Sequence, residues 1–352
     1  MSESNFWKDK KVFLTGHTGF KGGWLAAWLT KLGASLYGYS LPPNDDLSLH
    51  NAIRLKEMMD AEFGDIRNLQ QLNAAIKKHD PEIIFHLAAQ PLVRQSYLDP
   101  VATFSTNVIG TVNLLEAARQ TNSIRAVVNI TTDKCYENRE WYWGYRENEP
   151  MGGYDPYSAS KGCAELVSSS YIRSFYNNSN IGLATARAGN VIGGGDWAED
   201  RLIPDLVRGF NGGARTLIRN PDSIRPWQHV LEPLSGYIRL AEELYNFPAK
   251  ASGAWNFGPF DHDAKTVSWM ADLVCREWGA AVEWYHDKND HPHEAQYLKL
   301  DISKANALLN WKPRWSADVA VQKTVHWYRD FYSGVDVMNS TFNQIEEYEA
   351  HN

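Results

Sequence analysis

The sequence predicts an α/β protein built on a Rossmann-type, doubly wound parallel sheet, with a smaller C-terminal α/β region. Short β-branched runs alternate with segments of helical periodicity over roughly the first 190 residues. A glycine-rich turn stands between the first predicted strand and the first predicted helix. The 352 residues are 43% hydrophobic and 22% charged, which is typical of a globular protein with a large core.

The first predicted strand, 10–15, is short and apolar and ends at the turn GHTGFKGG. Trp24, Trp28 and Leu32 then recur at helical spacing, and Gly33 is placed to end that helix. We expect a second strand in ASLYGYS at 34–40. Together these elements form a strand–turn–helix–strand unit at the start of the chain.

The alternation continues as strands at 82–90 and 125–132 and as a strand and turn at 181–193. Helices are predicted at about 99–120 and 155–176. Strands joined by helices make right-handed crossovers to parallel neighbours, so both faces of the sheet should be covered. After about residue 190 the pattern loosens into Gly-, Pro- and Trp-rich loops with helical pieces such as 266–278.

Composition narrows the class of protein. The net charge of -7 and the lack of a basic stripe disfavour a nucleic-acid partner. No apolar run is long enough for a membrane span or a signal peptide, so we expect a cytoplasmic protein without membrane contact. Cys135, Cys163 and Cys275 lack CxxC spacing, which predicts neither a disulfide framework nor a zinc site. We interpret Cys135 as a small buried hydrophobe.

The glycine turn predicts a dinucleotide site. Gly16, Gly19 and Gly22 allow the backbone to approach a pyrophosphate, and the following helix offers free N–H groups. The second strand ends in GYSLPPN without an acid for the adenosine ribose, so Ser40 is expected to take that place. Asp45 and Asp46 come later and are interpreted as solvated loop acids. NAD is favoured over NADP because no arginine stands there for a 2′-phosphate.

Tyr157 and Lys161 are one helical turn apart and share a face. A lysine ammonium beside a phenol lowers the phenol pKa from about 10 toward neutrality. Tyr157 is therefore a candidate base that removes a hydroxyl proton while a hydride leaves for nicotinamide. The Y-x-x-x-K string is common by chance, and its weight comes from the glycine turn that precedes it.

Motifs over essentially the whole chain resemble the extended short-chain dehydrogenase/reductase family, and its nucleotide-sugar branch in particular: TGHTGFKGGWL, GDIRN, HLAAQP, STNVIGTVNLLEA, TTDKCY, YSASKG, RAGNVIGGGDW, RPWQHV and WNFGP. The resemblance implies bound NAD. It also implies that the cofactor is held by Gly16, His17, Gly19, Phe20, Lys21, Ser40, Asp65, Ile66, Leu87, Ala88, Ala89, Gln90, Asn107, Tyr157 and Lys161. Tyr157 and Lys161 would also carry out the redox chemistry.

Thr132-Asp133-Lys134 stands where epimerases of this branch carry Ser-Ser or Ser-Ala, which favours a 4,6-dehydratase. Such an enzyme must eliminate water as well as move a hydride. We expect Asp133 to protonate the leaving 6-hydroxyl and Thr132 to bind the 4-hydroxyl. Lys134 stands where related dehydratases carry a glutamate, and it is either the base for carbon 5 or only a partner of Asp133.

The second half of the chain should bind the nucleotide sugar, for which the resemblance suggests CDP-glucose. Asn190, Arg201, Arg219 and Arg225 are the candidate diphosphate ligands. Trp197 or Trp227 either stacks on the base or belongs to the core. His291, His293 and Glu294 are assigned to a substrate loop or a structural role, and no metal is expected. We divide the chain into an NAD-binding domain at 1–190 and a mainly nucleotide-sugar-binding region at 191–352, interleaved with the first.

Three alternatives stay open at this point. The chain could act on a dTDP-, GDP- or UDP-linked sugar, it could be a 4-epimerase, or it could bind a dinucleotide without catalysis. The intact Tyr157 and Lys161 disfavour the last. By resemblance, the helices at about 99–120 and 155–176 pair between subunits, which predicts a homodimer or homotetramer. Dehydratases of this branch feed the biosynthesis of deoxysugars such as those of lipopolysaccharide O-antigens.

Overall fold

The structure, a computed structural model, describes residues 6–43, 47–177, 179–213, 215–279, 282–289 and 296–351. Asp45, Asp46, His291, His293 and Glu294 lie outside these residues. The strands are β1 (Lys11–Thr15), β2 (Ser35–Ser40), β3 (Asp60–Phe63), β4 (Ile83–His86), β5 (Ala126–Ile130), β6 (Gly182–Arg187), β7 (Val191–Ile192), β8 (Thr216–Ile218), β9 (Ile224–Pro226), β10 (Gln228–His229), β11 (Gly253–Asn256), β12 (Ala264–Thr266) and β13 (Trp284–His286).

The α-helices are α1 (Phe20–Lys31), α2 (Leu49–Ala52), α3 (Leu69–His79), α4 (Val93–Leu98), α5 (Pro100–Phe104), α6 (Gly110–Arg119), α7 (Pro156–Tyr171), α8 (Leu202–Asn211), α9 (Leu231–Asn246), α10 (Pro248–Ala251), α11 (Val267–Trp278), α12 (Ser303–Leu309), α13 (Ala317–Tyr332) and α14 (Val337–Ala350). A π-helical stretch at Ser105–Ile109 joins α5 to α6, and another at Ile172–Tyr176 extends α7. Short 3₁₀ turns occur at Leu55–Glu57, Asp133–Cys135 and Asp261–Asp263.

A seven-stranded sheet runs in the order β11-β6-β5-β4-β1-β2-β3. Every pairing between neighbours in it is parallel. The order reverses between β1 and β4, and in such sheets ligands bind beyond the carboxyl ends of the strands at this switch point. The predicted doubly wound α/β fold is confirmed.

Helices cover both faces of the sheet. On one face the core contains Trp24 of α1, Leu234 of α9 and Trp327 of α13. On the other, Leu72 of α3 and Leu115 of α6 pack with the buried sheet residues. Since α9 and α13 come from the second half of the chain, that half shares a core with the first. β11 likewise adds to the sheet beside β6.

The differences from the predicted elements lie at their ends. The strand predicted at 82–90 ends at His86. The N–H of Leu87 still bonds to the Thr15 carbonyl of β1 at 3.2 Å, but the N–H of Ala88 bonds to the Thr15 hydroxyl at 3.2 Å and not to a backbone carbonyl. The helices predicted at 99–120 and 155–176 are present, each with a π-helical stretch. Three two-stranded ladders, β7 with β10, β8 with β13 and β9 with β12, make up the smaller C-terminal sheets. No helix in the described ranges is long and apolar enough to cross a membrane.

Candidate active site

The turn from β1 to α1 presents backbone at the switch point. Gly16 has φ of +79°, and a Cβ there would lie 2.7 Å from the backbone nitrogen of Ala88. A Cβ on Gly22 would overlap the carbonyl of Gly16. Within the described residues, no side chain caps α1 at Gly19 and no acid lies in its first turn. The turn therefore needs glycine, and the N-terminus of α1 can receive an anion.

Ser40 and His17 lie together under this turn and are both buried. The Ser40 hydroxyl is 3.0 Å from His17 Nδ1 and 3.2 Å from Thr18 Oγ1. Burial, with a contribution from nearby His50, lowers the pKa of His17 to about 4. The ring is therefore neutral near pH 7, and Ser40 ties the end of β2 to the turn. The expected contact of Ser40 with a ribose stays a prediction.

The loop after β4, Leu87–Gln90, is fixed from two sides. Thr15 Oγ1 accepts its first two N–H groups. Asn107 accepts the N–H of Gln90 at 2.8 Å and donates to the Gln90 carbonyl at 3.0 Å and to Ser160 Oγ at 2.8 Å. Asn107 therefore joins this loop to α7, and the predicted cofactor residues of the loop lie beside the glycine turn.

Asp65 and Ile66 follow β3. Ile66 is buried against Gly110 of α6, and its carbonyl accepts the side-chain amide of Asn113 at 2.9 Å. Asp65 pairs with Arg67 at 2.6 Å, and this hydrogen bond holds the pKa of the carboxyl below its usual range. The expected adenine contact of the two residues stays a prediction.

Tyr157 and Lys161 lie on one buried face of α7. Burial raises the pKa of Tyr157 to about 12, although a hydrogen bond with Thr132 opposes the shift. Lys161 donates to the carbonyl of Ile130 at 3.0 Å, and burial lowers the pKa of its ammonium to about 8. The expectation that Lys161 brings the pKa of Tyr157 toward neutrality is therefore wrong for the chain by itself. Removing the phenolate from water outweighs the Thr132 hydrogen bond and the charge of Arg201, which both lower the pKa.

The 3₁₀ turn Asp133–Cys135 follows β5 and brings Asp133 to the same place. The carboxyl is fully buried; its Oδ1 accepts from Thr132 Oγ1 at 3.1 Å and lies 3.9 Å from Lys134 Nζ. Its Oδ2 has no hydrogen-bond partner among the described residues. A Cβ on Gly189 would overlap that oxygen. The geometry leaves one carboxyl oxygen unbonded, and the ion pair with Lys134 is long.

Lys21 and Arg201 add positive charge to this cluster. Burial lowers the pKa of Lys21 to about 8, and the cations Arg201, Lys161 and Lys134 lower it further while Asp133 opposes them. Arg201 pairs with Asp196 at 2.8 Å, and its charge also acts on Tyr157. The structure thus brings Lys21 and Arg201 within electrostatic reach of the residues predicted to be catalytic.

The other predicted substrate residues lie on loops and strands of the C-terminal half. Asn190 has φ of +41°, and its buried Oδ1 has no partner in the described part of the chain. Arg225 lies in β9, which pairs with β12. Arg219 pairs with Asp200 at 3.1 Å, and Asp200 also pairs with Arg94 at 3.0 Å. Their binding of a diphosphate stays a prediction.

Two tryptophans considered for base stacking belong to the packing. Trp227 is buried, and its indole donates to the Lys265 carbonyl at 3.0 Å. Trp197 packs edge-on against Tyr328, with ring centroids 5.2 Å apart, and against Phe331 at 4.9 Å. These contacts support the interpretation as core residues.

Cys135 is buried, and burial raises the pKa of its thiol well above the usual range, which fits a packing residue and not a nucleophile. No cluster of three or more His, Cys, Asp or Glu side chains suited to a metal ion occurs in the described ranges.

Sequence reasoning did not select Glu165 and Arg187, which form an ion pair at 2.7 Å beside the cluster. The four-residue spacing from Lys161 to Glu165 on one helix was a usable signal. Gly189 was also missed as an individual residue, because only the position of Asp133 shows why that site lacks a side chain.

The sequence as a whole matches a known protein family. Residues 13–324 match the family model described as GDP-mannose 4,6 dehydratase. The chain belongs to this family. Its assignment to the nucleotide-sugar branch of the extended short-chain dehydrogenases/reductases is confirmed.

Two dehydratases are similar to this chain over most of their length. The chain is 56% identical over 353 residues to the CDP-glucose 4,6-dehydratase of Salmonella typhimurium, covering 99% of this chain and 98% of the relative. It is 27% identical to dTDP-glucose 4,6-dehydratase 1 of Escherichia coli, covering 79% of this chain and 81% of the relative.

Solved structures in the same family of folds superpose well. The UDP-glucose 4-epimerase of Thermotoga maritima with UDP-glucose has a TM-score of 0.81 at 20% identity, covering 91% of this chain and 99% of the other. The dTDP-glucose 4,6-dehydratase of Bacillus anthracis in complex with NAD has a TM-score of 0.77 at 21% identity, covering 94% and 99%. At these identities the likeness establishes the shared fold.

Proposed function

We propose that this protein is an NAD-dependent CDP-glucose 4,6-dehydratase. The observation that carries the proposal is the unbonded carboxyl oxygen of buried Asp133 in the same cluster as Tyr157 and Lys161. An epimerase needs only the redox pair, whereas elimination of water also needs an acid. The 56% identity to the Salmonella typhimurium CDP-glucose 4,6-dehydratase supports the same activity and the cytidine nucleotide.

The residues at the switch point fit NAD. The left-handed Gly16 and the uncapped N-terminus of α1 suit a pyrophosphate, because a side chain at Gly16 would fill that space. We assign the diphosphate to Gly16, Gly19, Phe20 and Lys21, the adenosine to Asp65, Ile66 and Leu87–Gln90, and the nicotinamide ribose to Tyr157 and Lys161. Bound NAD supplies reversible hydride transfer, from carbon 4 of the sugar and back to carbon 6.

In the oxidation, Tyr157 takes the proton of the sugar 4-hydroxyl and Thr132 holds that hydroxyl. Because burial raises the pKa of Tyr157 to about 12, the tyrosine becomes a base only when more positive charge lies beside it. Arg201 supplies part of this charge, and we assign a further part to Lys161.

In the elimination, the 4-keto group acidifies the proton on carbon 5. Lys134 removes that proton, and Asp133 protonates the 6-hydroxyl, so that water departs. When hydride adds to carbon 6, Lys134 returns its proton to carbon 5, and the proton that Tyr157 took from the 4-hydroxyl restores that of Asp133. Lys134 is about one-third exposed and 3.9 Å from Asp133. At this distance the two side chains share no hydrogen bond, so Lys134 Nζ is not committed to Asp133. Asp133 is suited to act as an acid because its Oδ2 has no partner among the described residues.

We assign the nucleotide diphosphate to Asn190, Arg201, Arg219 and Arg225. Arginine binds phosphate oxygens through two parallel N–H groups, which suits a diphosphate. Exposed apolar side chains on the helical run 93–119, among them Leu98 and Val101, and Leu166 and Phe175 on the run 156–176, support a homodimer or a homotetramer, which sedimentation would measure. A cytoplasmic location stays a prediction.

Incubation with CDP-, dTDP-, GDP- and UDP-glucose in the presence of NAD tests the function. We expect the 4-keto-6-deoxy sugar as product, with CDP-glucose the best substrate by kcat/KM. A preference for another nucleotide would keep the dehydratase and overturn the cytidine assignment. Formation of the 4-epimer instead would contradict the dehydratase.

A further inference from the structure

A buried ion pair lies directly behind Lys161. Glu165 is one helical turn further along α7, on the same buried face. Arg187, the last residue of β6, donates from Nε to Glu165 Oε1 at 2.9 Å and from Nη2 to Oε2 at 2.7 Å. Both side chains are only 4% exposed. This is a two-point guanidinium–carboxylate contact shielded from water.

Two hydroxyls complete the bonding of Glu165. Thr131, just after β5, donates to Oε1 at 2.5 Å, and Thr185 of β6 donates to Oε2 at 2.7 Å. Although burial would raise the pKa of Glu165, Arg187 and these hydroxyls hold it below its usual range. A fixed negative charge therefore stands one turn from the redox lysine.

The other side of Arg187 holds the segment that carries the elimination residues. Its Nη1 donates to Tyr136 Oη at 2.7 Å and to the Glu147 carbonyl at 3.1 Å. Tyr136 follows the turn Asp133–Cys135 directly, and its hydroxyl donates to Asn256 Oδ1 at 2.7 Å. One guanidinium thus joins α7, β6 and the chain on the C-terminal side of Asp133 and Lys134.

A buried ion pair gives little net stability by itself, because desolvation of both charges offsets their attraction. Its position between the redox helix and the elimination turn suggests another role. We propose that Glu165 and Arg187 are positioning residues. Glu165 keeps Lys161 positively charged, and Arg187 fixes the position of the Asp133–Cys135 turn relative to Tyr157 and Lys161. This role rests on the proposed dehydratase activity.

Glu165→Gln tests the charge. The groups that act on Lys161 are Glu165 on its own helix, Cys135 in the turn, His86 at the end of β4 and Lys21 in α1. Of these, Glu165 is the main one that raises the pKa of Lys161 against its burial. Without that charge the ammonium should lose its proton at lower pH. The rate of the oxidation step, measured in a single turnover as a function of pH, should fall at lower pH on its alkaline side. The NMR titration of Lys161 in the cofactor-free protein should also move to lower pH; Lys161→Met assigns the Lys161 signal.

Arg187→Lys tests whether Arg187 fixes the position of the Asp133–Cys135 turn. Lysine keeps the charge beside Glu165, so the alkaline limb should stay in place, but one ammonium cannot replace the contacts of three guanidinium nitrogens. The turn should then shift, and a displacement of about 1 Å costs up to about a hundredfold in rate. We expect water loss to slow by about tenfold or more while oxidation slows much less, so that reduced-cofactor absorbance builds up within one turnover.

Glu82→Gln is the matched control, because it removes one charge of the ion pair with Lys10, which lies at the amino ends of β1 and β4, whereas the site lies beyond the carboxyl ends of the strands. It should change neither the alkaline limb of the pH profile nor the ratio of the oxidation rate to the rate of water loss. An unmoved Lys161 titration in folded Glu165→Gln, or oxidation and water loss slowed equally in Arg187→Lys, would overturn the positioning role. If Glu165→Gln does not fold, Arg187→Lys decides. Product formation by the unaltered chain separates these outcomes from a failure of the proposed function.

Discussion

At the scale of single residues, burial sets the chemistry of the site. It raises the pKa of Tyr157 to about 12 and lowers those of Lys161 and Lys21 to about 8. Each shift favours the neutral form. At these pKa values Tyr157 keeps its proton near pH 7, whereas Lys21 and Lys161 are still mostly charged. The spacing of Tyr157 and Lys161 does not show that both are buried, so it could not give the direction of the Tyr157 pKa shift in the chain by itself.

Tyr157→Phe removes the proton acceptor and almost none of the packing. We expect turnover to fall by about a hundredfold or more, with NAD and CDP-glucose binding retained. Steady-state kinetics and calorimetric titration measure the two effects. Retention of most of the activity would contradict the redox assignment.

Asp133→Asn and Lys134→Met separate the two elimination residues. Asp133→Asn should still oxidise the sugar but stall before water loss, because an amide cannot protonate a departing hydroxyl. Lys134→Met should block exchange of the carbon 5 proton with deuterated solvent if Lys134 is the base. If Lys134 only pairs with Asp133, exchange should continue at nearly the wild-type rate, and the base must be sought elsewhere, with Tyr157 the first candidate.

Gly189→Ala would place a Cβ on the Asp133 carboxyl. We expect the carboxyl to move and water loss to slow more than oxidation, measured as accumulated reduced cofactor in one turnover. Gly258→Ala is the control, since its Cβ would meet only ordinary contacts, the nearest at 3.4 Å. Equal behaviour of the two variants would show that the position of Asp133 tolerates displacement.

At the scale of elements, the C-terminal helix supports the helix that follows the glycine turn. Glu349 of α14 accepts the indole N–H of Trp28 at 2.8 Å and the ammonium of Lys31 at 2.8 Å, both on α1. Tyr348 donates to buried Glu232 of α9 at 2.7 Å. Burial raises the pKa of Glu232 to about 7, although this bond and two backbone N–H groups oppose it. α14 therefore joins α1 to α9.

Tyr348→Phe should lower the free energy of unfolding by about 1–3 kcal/mol, because it removes a hydroxyl that serves a buried carboxyl. Chemical denaturation measures this change, and kcat should stay near wild type since α14 carries no residue of the catalytic cluster. Tyr142→Phe removes a hydroxyl from an exposed ring and should have little effect. Equal stability of both variants would show that the Glu232 contact contributes nothing.

Residue pattern predicted β1, β2, β4, β5 and β6 and the helices α1, α6 and α7, because each has a strong period and a glycine or polar boundary. It did not predict the 11-residue helix α3. The end of β4 was misplaced, since an apolar run does not show that the Thr15 hydroxyl accepts the N–H of Ala88. β3 and β11 were not predicted: β3 is mostly exposed, and β11 is only four residues long. Their pairing depends on long-range contacts that local periodicity does not contain.

At the scale of the whole molecule, parallel topology explains why the predicted catalytic residues meet. The loops after β1, β4 and β5 and the start of α7 all lie at the carboxyl edge of one sheet, so Lys21, Asp133, Tyr157 and Lys161 come together from distant positions. Sequence could predict this meeting. The spacing from Lys161 could have selected Glu165 as a residue of the same helix face, but its pairing with Arg187 depends on how α7 packs against β6, which the sequence does not show.

The central claim is that one site oxidises carbon 4, removes water and returns the same hydride to carbon 6. CDP-glucose carrying deuterium on carbon 4 tests it directly, with the product examined by mass spectrometry and NMR. The account predicts that the deuterium appears on carbon 6 of the 4-keto-6-deoxy product and that no net reduced cofactor accumulates. Loss of the label to solvent, or reduced cofactor formed in proportion to product, would contradict it.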